Sequence, residues 1–263
     1  MLNQDTASTL YAQLLEYHDT NQGDARNAIR DMRPLFEGIF KTLTVDEERA
    51  FSNIYARTLF VMETRKTPRE IVDRVHGFRR FANRVVHEEA FPIPKPRYLA
   101  GLEALAAIIH HFSGAAIPEA ISTLYDGKVQ PFEKPVRPKG DTIAGVRCVV
   151  LEIGELKESS SGYPFFKLTC SAEDTDMGTF TLFLWKSELN DLSRLQRLVW
   201  PWCTLQIHSL RKDGVVPDTY SSVPETQVIL EPDFLIDSTD VAECFQWNGT
   251  NPYLYFLGKL GGS

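Results

Sequence analysis

The chain has 263 residues, of which 43% are hydrophobic and 24% are charged, a composition typical of a globular protein with room for two domains. Its net charge is −7. This balance excludes a protein that grips duplex phosphates over its whole surface, because that grip needs clustered Lys and Arg, so any nucleic-acid contact is expected to be local.

Residues 1–126 predict an all-α helical domain. The apolar residues recur at helical spacing, and six helices are expected, near 6–20, 24–41, 45–65, 68–90, 97–112 and 118–125. Two four-residue strings, Thr44–Glu47 and Thr67–Glu70, have the capping-box pattern and each predicts the start of a helix.

The predicted helix 68–90 carries polar residues on one face. Arg79, Asn83 and His87 follow each other at intervals of four, so Asn83 and His87 are candidates for buried hydrogen bonds to a neighbouring helix. The string Arg80-Phe-Ala-Asn-Arg-Val-Val-His87 also resembles the Arg-x(4–6)-His motif of HEPN-type helical domains, several of which are RNA-cutting toxins. The resemblance implies a ribonuclease in which His87 is general acid or base and Arg80 stabilises phosphate charge, with Asn83 as in a related motif variant.

The segment 57–97 is the basic part of the chain, with ten Lys or Arg against five Asp or Glu. One interpretation is a docking patch for nucleic acid or for an acidic partner domain. The other is a solvated helix face with ion pairs such as Glu70 with Arg74.

Residues 127–140 contain Pro131, Pro135 and Pro138 and predict a stiff, extended linker between two domains.

Residues 141–237 predict a small β-barrel. Five segments with strand composition are expected at 143–153, 165–170, 178–185, 203–210 and 226–231, with a short helix in 186–198. Three strands, a helix and two strands is the order of the OB-fold, a five-stranded barrel that often holds single-stranded nucleic acid. The whole chain is therefore predicted to be an α+β multidomain protein, a helical bundle followed by an OB-like barrel and a C-terminal helical stub.

The barrel offers candidate nucleic-acid-binding residues. Strand alternation puts Thr181, Phe183 and Trp185 on one face, opposite Phe180, Leu182 and Leu184. If the second set is core, Phe183 and Trp185 are placed to stack bases. Nearby cations complete the predicted site: Lys167, Lys186, Arg211 and Lys212.

Two features favour other interpretations of the barrel. Trp185 and Trp200 are also candidates to close the barrel or to pack on the helical domain. The first half of the barrel is acidic, which favours a protein–protein platform over strand binding. The acidic residues are Glu152, Glu155, Glu158, Glu173, Asp174 and Asp176.

The string that starts at Val228 resembles the junction between barrel and nuclease in Dna2-like helicase-nucleases. The matching positions are Pro232, Asp233, Leu235, Ile236, Thr239, Val241 and Ala242. The resemblance implies the front part of a bacterial helicase-nuclease of phage defence or DNA repair, in which 238–260 begin a Cas4/Dna2-type nuclease domain. Gly261–Ser263 is typical of an artificial linker.

The junction departs from that family at the residues that would hold cofactors. The first iron–sulfur cysteine should stand where the chain has Trp247, and Cys244 lies three residues early. The sequence also has no P-loop, and no carboxylate pair followed by x-Lys after the barrel. No metal, cluster or other cofactor is therefore expected.

Cysteine usage and hydropathy predict a cytoplasmic protein without membrane contact. The four cysteines are far apart and predicted to be reduced and structural, and no apolar run approaches the ~20 residues of a membrane span.

The leading functional hypothesis is a non-catalytic recognition or scaffolding module of a helicase-nuclease. Its expected partners are single-stranded DNA or RNA and downstream nuclease and helicase domains or partner subunits. The alternatives are an HEPN-like ribonuclease and a protein–protein interaction platform.

Overall fold

The computed structural model describes residues 2–21, 23–133, 135, 138, 140–173, 175–187 and 191–233. The chain forms two compact units. The helical unit contains Met1–Glu47 and Ile54–Val136, and the barrel unit contains Glu48–Asn53 and Arg137–Ser263. The expected helical stub, most of the junction string and the terminal linker lie outside the described residues.

The helical unit confirms the prediction of an all-α bundle. Its described residues form six helices, α1 Gln4–Thr20, α2 Ala25–Leu43, α3 Ile54–Thr64, α4 Arg69–His87, α5 Lys95–Ser113 and α6 Glu119–Tyr125. Aromatic rings from three of these helices fill the core, where the fully buried side chains include Phe36, Phe40, Phe78 and Phe112. Phe36 lies 5.2 Å from Phe78 and Phe40 lies 5.9 Å from Phe112, measured between ring centroids.

The two predicted capping boxes do not form. Thr44 ends α2 instead of beginning a helix, since its hydroxyl donates to the Phe40 carbonyl at 2.9 Å. The next helix starts only at Ile54. At the second string the cap position of α4 is occupied by Pro68, which has no side-chain cap to offer, so Thr67 lies one residue too early.

Arg26 of α2 caps the C-terminal end of α4. Its guanidinium donates to the carbonyls of Val85, Glu88 at 3.2 Å and Phe91 at 2.7 Å. The last carbonyls of a helix lack partners within the helix and carry partial negative charge. Arg26 satisfies one of them, on Val85, and also ties the residues that follow the helix, Glu88 and Phe91, to α2.

The first part of the predicted linker belongs to the helical unit. Phe132 packs on α4 above Gly77, and its ring centroid lies 5.5 Å from that of Phe81. Glu133 pairs with Arg97 of α5 at 2.8 Å. Two side chains thus anchor the stretch up to Glu133 to the bundle, and the division between the two units falls inside the predicted 127–140, after residue 136.

The barrel unit is a closed five-stranded barrel, as predicted. Its elements are β1 Thr142–Ile153, β2 Lys157–Glu158, β3 Pro164–Ala172, β4 Thr179–Trp185, α7 Leu192–Leu198, β5 Thr204–Lys212 and β6 Thr219–Leu230. The sheet order is β1-β5-β6-β4-β3-β2, and a β1–β3 pairing closes the ring, with the short β2 outside it. All pairings are antiparallel except β4 with β6. With β2 set aside, this is the strand order of the OB-fold.

Strand alternation fills the barrel with apolar side chains. Phe166 and Leu168 of β3 and Leu182 and Leu184 of β4 are completely buried. Tyr220 of β6 packs edge-on against Phe180, with ring centroids 5.5 Å apart. Tyr220 belongs to β6 because this last strand begins at Thr219, seven residues earlier than the predicted Thr226.

The six-residue segment Glu48–Asn53 joins the barrel unit through polar contacts with β5 and the end of β6. The Ser52 and Thr204 hydroxyls lie 2.6 Å apart, and the Asn53 amide donates to Thr204 at 3.2 Å. Burial raises the pKa of Glu231, although hydrogen bonds from the Thr204 N–H and from Ser52 oppose that shift. These partners explain why residues 48–53 do not continue a helix.

Candidate nucleic-acid interface

The outer face of β3 and β4 carries the predicted aromatic residues. Phe180, Leu182 and Leu184 are core, so the opposite parity of β4 points outward and presents Phe183 and Trp185, both half-buried. This arrangement satisfies the condition on which the stacking prediction rested. Trp185 is not sealed inside the barrel.

A third ring completes an aromatic cluster on this face. The Phe165 centroid lies 4.8 Å from that of Trp185 and 5.8 Å from that of Phe183. Phe165 and Trp185 are direct cross-strand partners. We call Phe165, Phe183 and Trp185 the aromatic cluster. Mutual contact holds the three rings in place, which lowers the ordering cost of any ligand that stacks on them.

Strand pairing places cations at the two ends of a row that crosses the aromatic cluster. Lys167 of β3 pairs with Phe183 of β4, Phe183 pairs with Ser221 of β6, and Ser221 pairs with Arg211 of β5. Neighbouring strands lie about 4.8 Å apart, so the row spans about 14 Å along the sheet. We call these four residues the cross-strand row.

The two remaining predicted cations lie beside this face and not in the row. Lys186 directly follows Trp185 and is exposed. Lys212 pairs with the inward-facing Tyr220, so it has the opposite strand parity to Arg211 and lies at the rim of the barrel. Of the six predicted binding residues, strand parity therefore turns Lys167, Phe183, Trp185 and Arg211 toward the outside of the barrel, on β3, β4 and β5.

The four predicted basic residues of the barrel are not paired with carboxylates of the described chain. Lys167, Lys186, Arg211 and Lys212 form no ion pair with a carboxylate in the part of the chain that the structure describes. Asp213 is the acidic neighbour of Arg211, and its pKa is lowered by the Val216 and Val215 N–H groups and, more weakly, by the Arg211 charge. Arg147, in contrast, is committed to Glu173 at 2.6 Å and to Asp233.

Sequence reasoning missed two members of the site. Phe165 has the same parity as Lys167, so alternation alone would have placed both on the outer face. Ser221 could not be predicted as a member of the row, because the strand that contains it was predicted to begin at Thr226.

The acidic residues of the first half of the barrel differ in exposure. Glu173 is buried in its pair with Arg147, and Asp174 lies outside the described residues. The exposed ones include Glu152, Glu155, Glu158 and Asp176.

The polar residues of α4, which include the HEPN-like candidates, differ in exposure. Arg79 is 2% exposed and lies 4.7 Å over the Tyr55 ring, Asn83 is half-buried, and His87 is exposed at the end of α4. The expectation of a buried hydrogen bond from His87 is therefore wrong. Arg80 and His87 lie on the same face of the helix, about 10.5 Å apart along its axis. Their catalytic use stays a prediction.

Several arginines of the basic stretch around α4 form ion pairs with nearby carboxylates. Arg74 pairs with Glu70 at 3.2 Å, as predicted, and also with Glu103. Arg84 pairs with Glu88 at 3.0 Å. These pairs support the interpretation of a solvated helix face over that of a docking patch.

Other chemistries find little support within the described ranges. No three His, Cys, Asp or Glu side chains there are grouped so that they could hold a metal ion. Cys148, Cys170 and Cys203 are buried free thiols in the barrel core, as predicted. None of the helices described is both long enough and apolar enough to cross a membrane. No protein-family model matches the sequence, and neither does any curated protein.

Proposed function

We propose that the chain is a non-catalytic recognition module that holds single-stranded nucleic acid on the outer face of its barrel. The observation that supports this proposal most is the cross-strand row, in which Phe183 lies between Lys167 and Arg211. Sequence-tolerant strand binding combines aromatic platforms for the bases with cations that track the backbone. The proposal is supported by the outward parity of both kinds of side chain along this row.

The proposed binding mode runs across the strands. Bases stack on the aromatic cluster, while Lys167 and Arg211 contact phosphates at either end of the 14 Å row. A strand is preferred over a duplex, because the chain is acidic overall and its uncommitted cations on this face are few.

We further propose that the module belongs to a larger helicase-nuclease of phage defence or DNA repair. The support is the junction string, of which Pro232 and Asp233 lie in the described part. In that setting the barrel guides a single strand toward following nuclease and helicase domains.

Fluorescence anisotropy with labelled 12-nucleotide strands tests the binding proposal at about 50 mM salt, where phosphate contacts are strong. Stacking on an aromatic side chain is worth about 1–3 kcal/mol per base, so Phe183→Ala and Trp185→Ala should each weaken binding at least about fivefold. Trp200→Ala is the matched control, since Trp200 is 36% exposed and belongs to the connection between α7 and β5, not to any strand of the row.

The salt dependence separates the two kinds of contact. Each phosphate contact on a single strand contributes about −0.7 to the slope of log K against log salt. Lys167→Met and Arg211→Met should therefore each flatten the slope by about 0.7, whereas Phe183→Ala should leave it unchanged. Wild-type protein that binds no strand at 50 mM salt would refute the proposal and favour the protein–protein platform.

A further inference from the structure

A second row of side chains lies beside the cross-strand row and has a different chemistry. Glu152 of β1 pairs with Thr169 of β3, and Thr169 pairs with Thr181 of β4. The Thr169 hydroxyl donates to the Glu152 carboxylate at 3.3 Å, which places both side chains on the outer face. Thr169 is two residues from Lys167 on the same strand, a step of about 7 Å along β3.

Glu152 has acceptor capacity left for a ligand. Its side chain is exposed, it forms no ion pair with a residue in the described part of the chain, and a carboxylate has about four acceptor positions, of which Thr169 uses one. The hydroxyl of Thr181 also makes no hydrogen bond to a described residue. The second row therefore presents an acceptor and a free hydroxyl next to the proposed phosphate contact of Lys167.

The charge of Glu152 restricts what can lie against it. A phosphate is repelled by a carboxylate, whereas a hydroxyl group can donate a hydrogen bond to it. In a strand whose phosphate lies on Lys167 and whose base lies on Phe183, the sugar joins the two and comes nearest to the second row. The group of a sugar in this position that can donate is the 2′-hydroxyl, which RNA has and DNA lacks.

We propose that the barrel discriminates in favour of RNA, with Glu152 accepting a hydrogen bond from a ribose 2′-hydroxyl and Thr169 orienting the carboxylate. This inference rests on the proposed strand-binding function and adds that the same site prefers ribose over deoxyribose. When DNA is bound, Glu152 accepts no such hydrogen bond, but it still repels the phosphates of the strand.

The test compares strands that differ only at the sugar. Anisotropy titrations of the full chain at 50 mM salt use 12-nucleotide oligouridine in ribose, 2′-deoxyribose and 2′-O-methyl form. The ribose strand should bind roughly tenfold more tightly than the other two, a factor appropriate to one hydrogen bond to a charged group. The 2′-O-methyl strand keeps the oxygen but cannot donate.

Two variants and a control locate the effect. Glu152→Ala should reduce the preference to near unity by weakening the ribose strand alone, and Thr169→Val, which keeps the β-branched shape, should reduce it partly. Glu225→Ala removes an exposed carboxylate of β6 that has no place in either row and should leave the preference intact. Both test variants change surface side chains, and circular dichroism confirms their folding.

The outcomes separate this inference from the proposed function. Equal affinity of wild-type protein for the ribose and deoxyribose strands would overturn RNA preference while strand binding stands. Equal weakening of both strands by Glu152→Ala would overturn it too, because the carboxylate would then contact a group that both strands share, such as the uracil N3–H. Absence of binding to any strand would overturn both proposals.

Discussion

Replacement of Gly77 by Ala tests whether the segment after α6 is truly part of the helical unit. Gly77 lies inside α4, where Ala is normally favoured by about 1 kcal/mol. Here an added Cβ would lie 2.9 Å from Cγ of Phe132 and closer still to Cδ2. The ring must therefore move, and the two effects oppose each other.

The change in the free energy of unfolding follows from the contacts that the displaced Phe132 ring loses. The ring is half-buried, so its displacement costs about 1 kcal/mol of burial, and loss of the ring pair with Phe81 costs about 1 kcal/mol more. Subtracting the gain in helix propensity leaves a net destabilisation of about 1 kcal/mol. In a Phe132→Ala background the clash is gone, and the same replacement should stabilise by about 1 kcal/mol.

Urea titration followed by circular dichroism at 222 nm measures this sign reversal, because that signal reports mainly on the helices. Residues 1–136 contain no tryptophan, and Trp185, Trp200 and Trp202 belong to the barrel unit, so tryptophan fluorescence follows that unit separately. Gly38→Ala in α2 is the matched control, since its Cβ meets nothing within 4 Å and should stabilise by about 1 kcal/mol. If Gly77→Ala stabilises the wild-type background as much as Gly38→Ala does, the packing of Phe132 is refuted.

Three further predictions concern other parts of the fold. Arg26→Met should destabilise the helical unit by about 2–3 kcal/mol in the same urea titration, because the carbonyls of Val85, Glu88 and Phe91 lose their donor; no change would mean that water replaces it. The pKa of Asp213 is lowered by the Val216 and Val215 N–H groups, so its stabilising contribution should be present above the ordinary carboxyl pKa of about 3.9 and be lost as pH falls through the lower folded value. Comparison of thermal melts with Asp213→Asn should show a difference that vanishes in acid, and carbon NMR titration of the carboxyl should show an ordinary pKa if this is wrong. Burial raises the pKa of Cys203 to about 12, and Cys148 and Cys170 are equally buried. A Cys244→Ser variant should therefore show no thiol that reacts fast with Ellman's reagent at pH 8 until urea unfolds the protein. Rapid labelling of the native variant would contradict this.

The helices and the barrel core could be predicted because their signals are local. The alternation in Thr179–Trp185 depends only on neighbouring residues, and it correctly grouped Phe183 with Trp185 on the face opposite Phe180, Leu182 and Leu184, although it left open which face is core. The order of strands and helix in the sequence likewise indicated the barrel. In both cases the hydrophobic pattern and the tertiary structure agree.

The errors arose where the deciding partner is far away in the sequence. Thr44–Glu47 satisfies a local helix-start pattern, but the residues after it bond to Thr204, about 150 positions later. Phe132 lies in a Pro-rich stretch that predicts a linker, yet its packing partner is Gly77. The cross-strand row could not be predicted either, because the parallel pairing of β4 with β6 cannot be deduced from the sequence of either strand alone.

The contribution of Glu48–Asn53 to the barrel unit matters to anyone who wishes to express that unit by itself. A fragment that starts after the bundle would lack the hydroxyl of Ser52 and the amide of Asn53, and would leave the fully buried Thr204 side chain without two of its hydrogen-bonding partners. Subcloning at the obvious gap between α6 and β1 would therefore yield an incomplete domain. A workable fragment would supply this hexapeptide in trans or graft it by circular permutation.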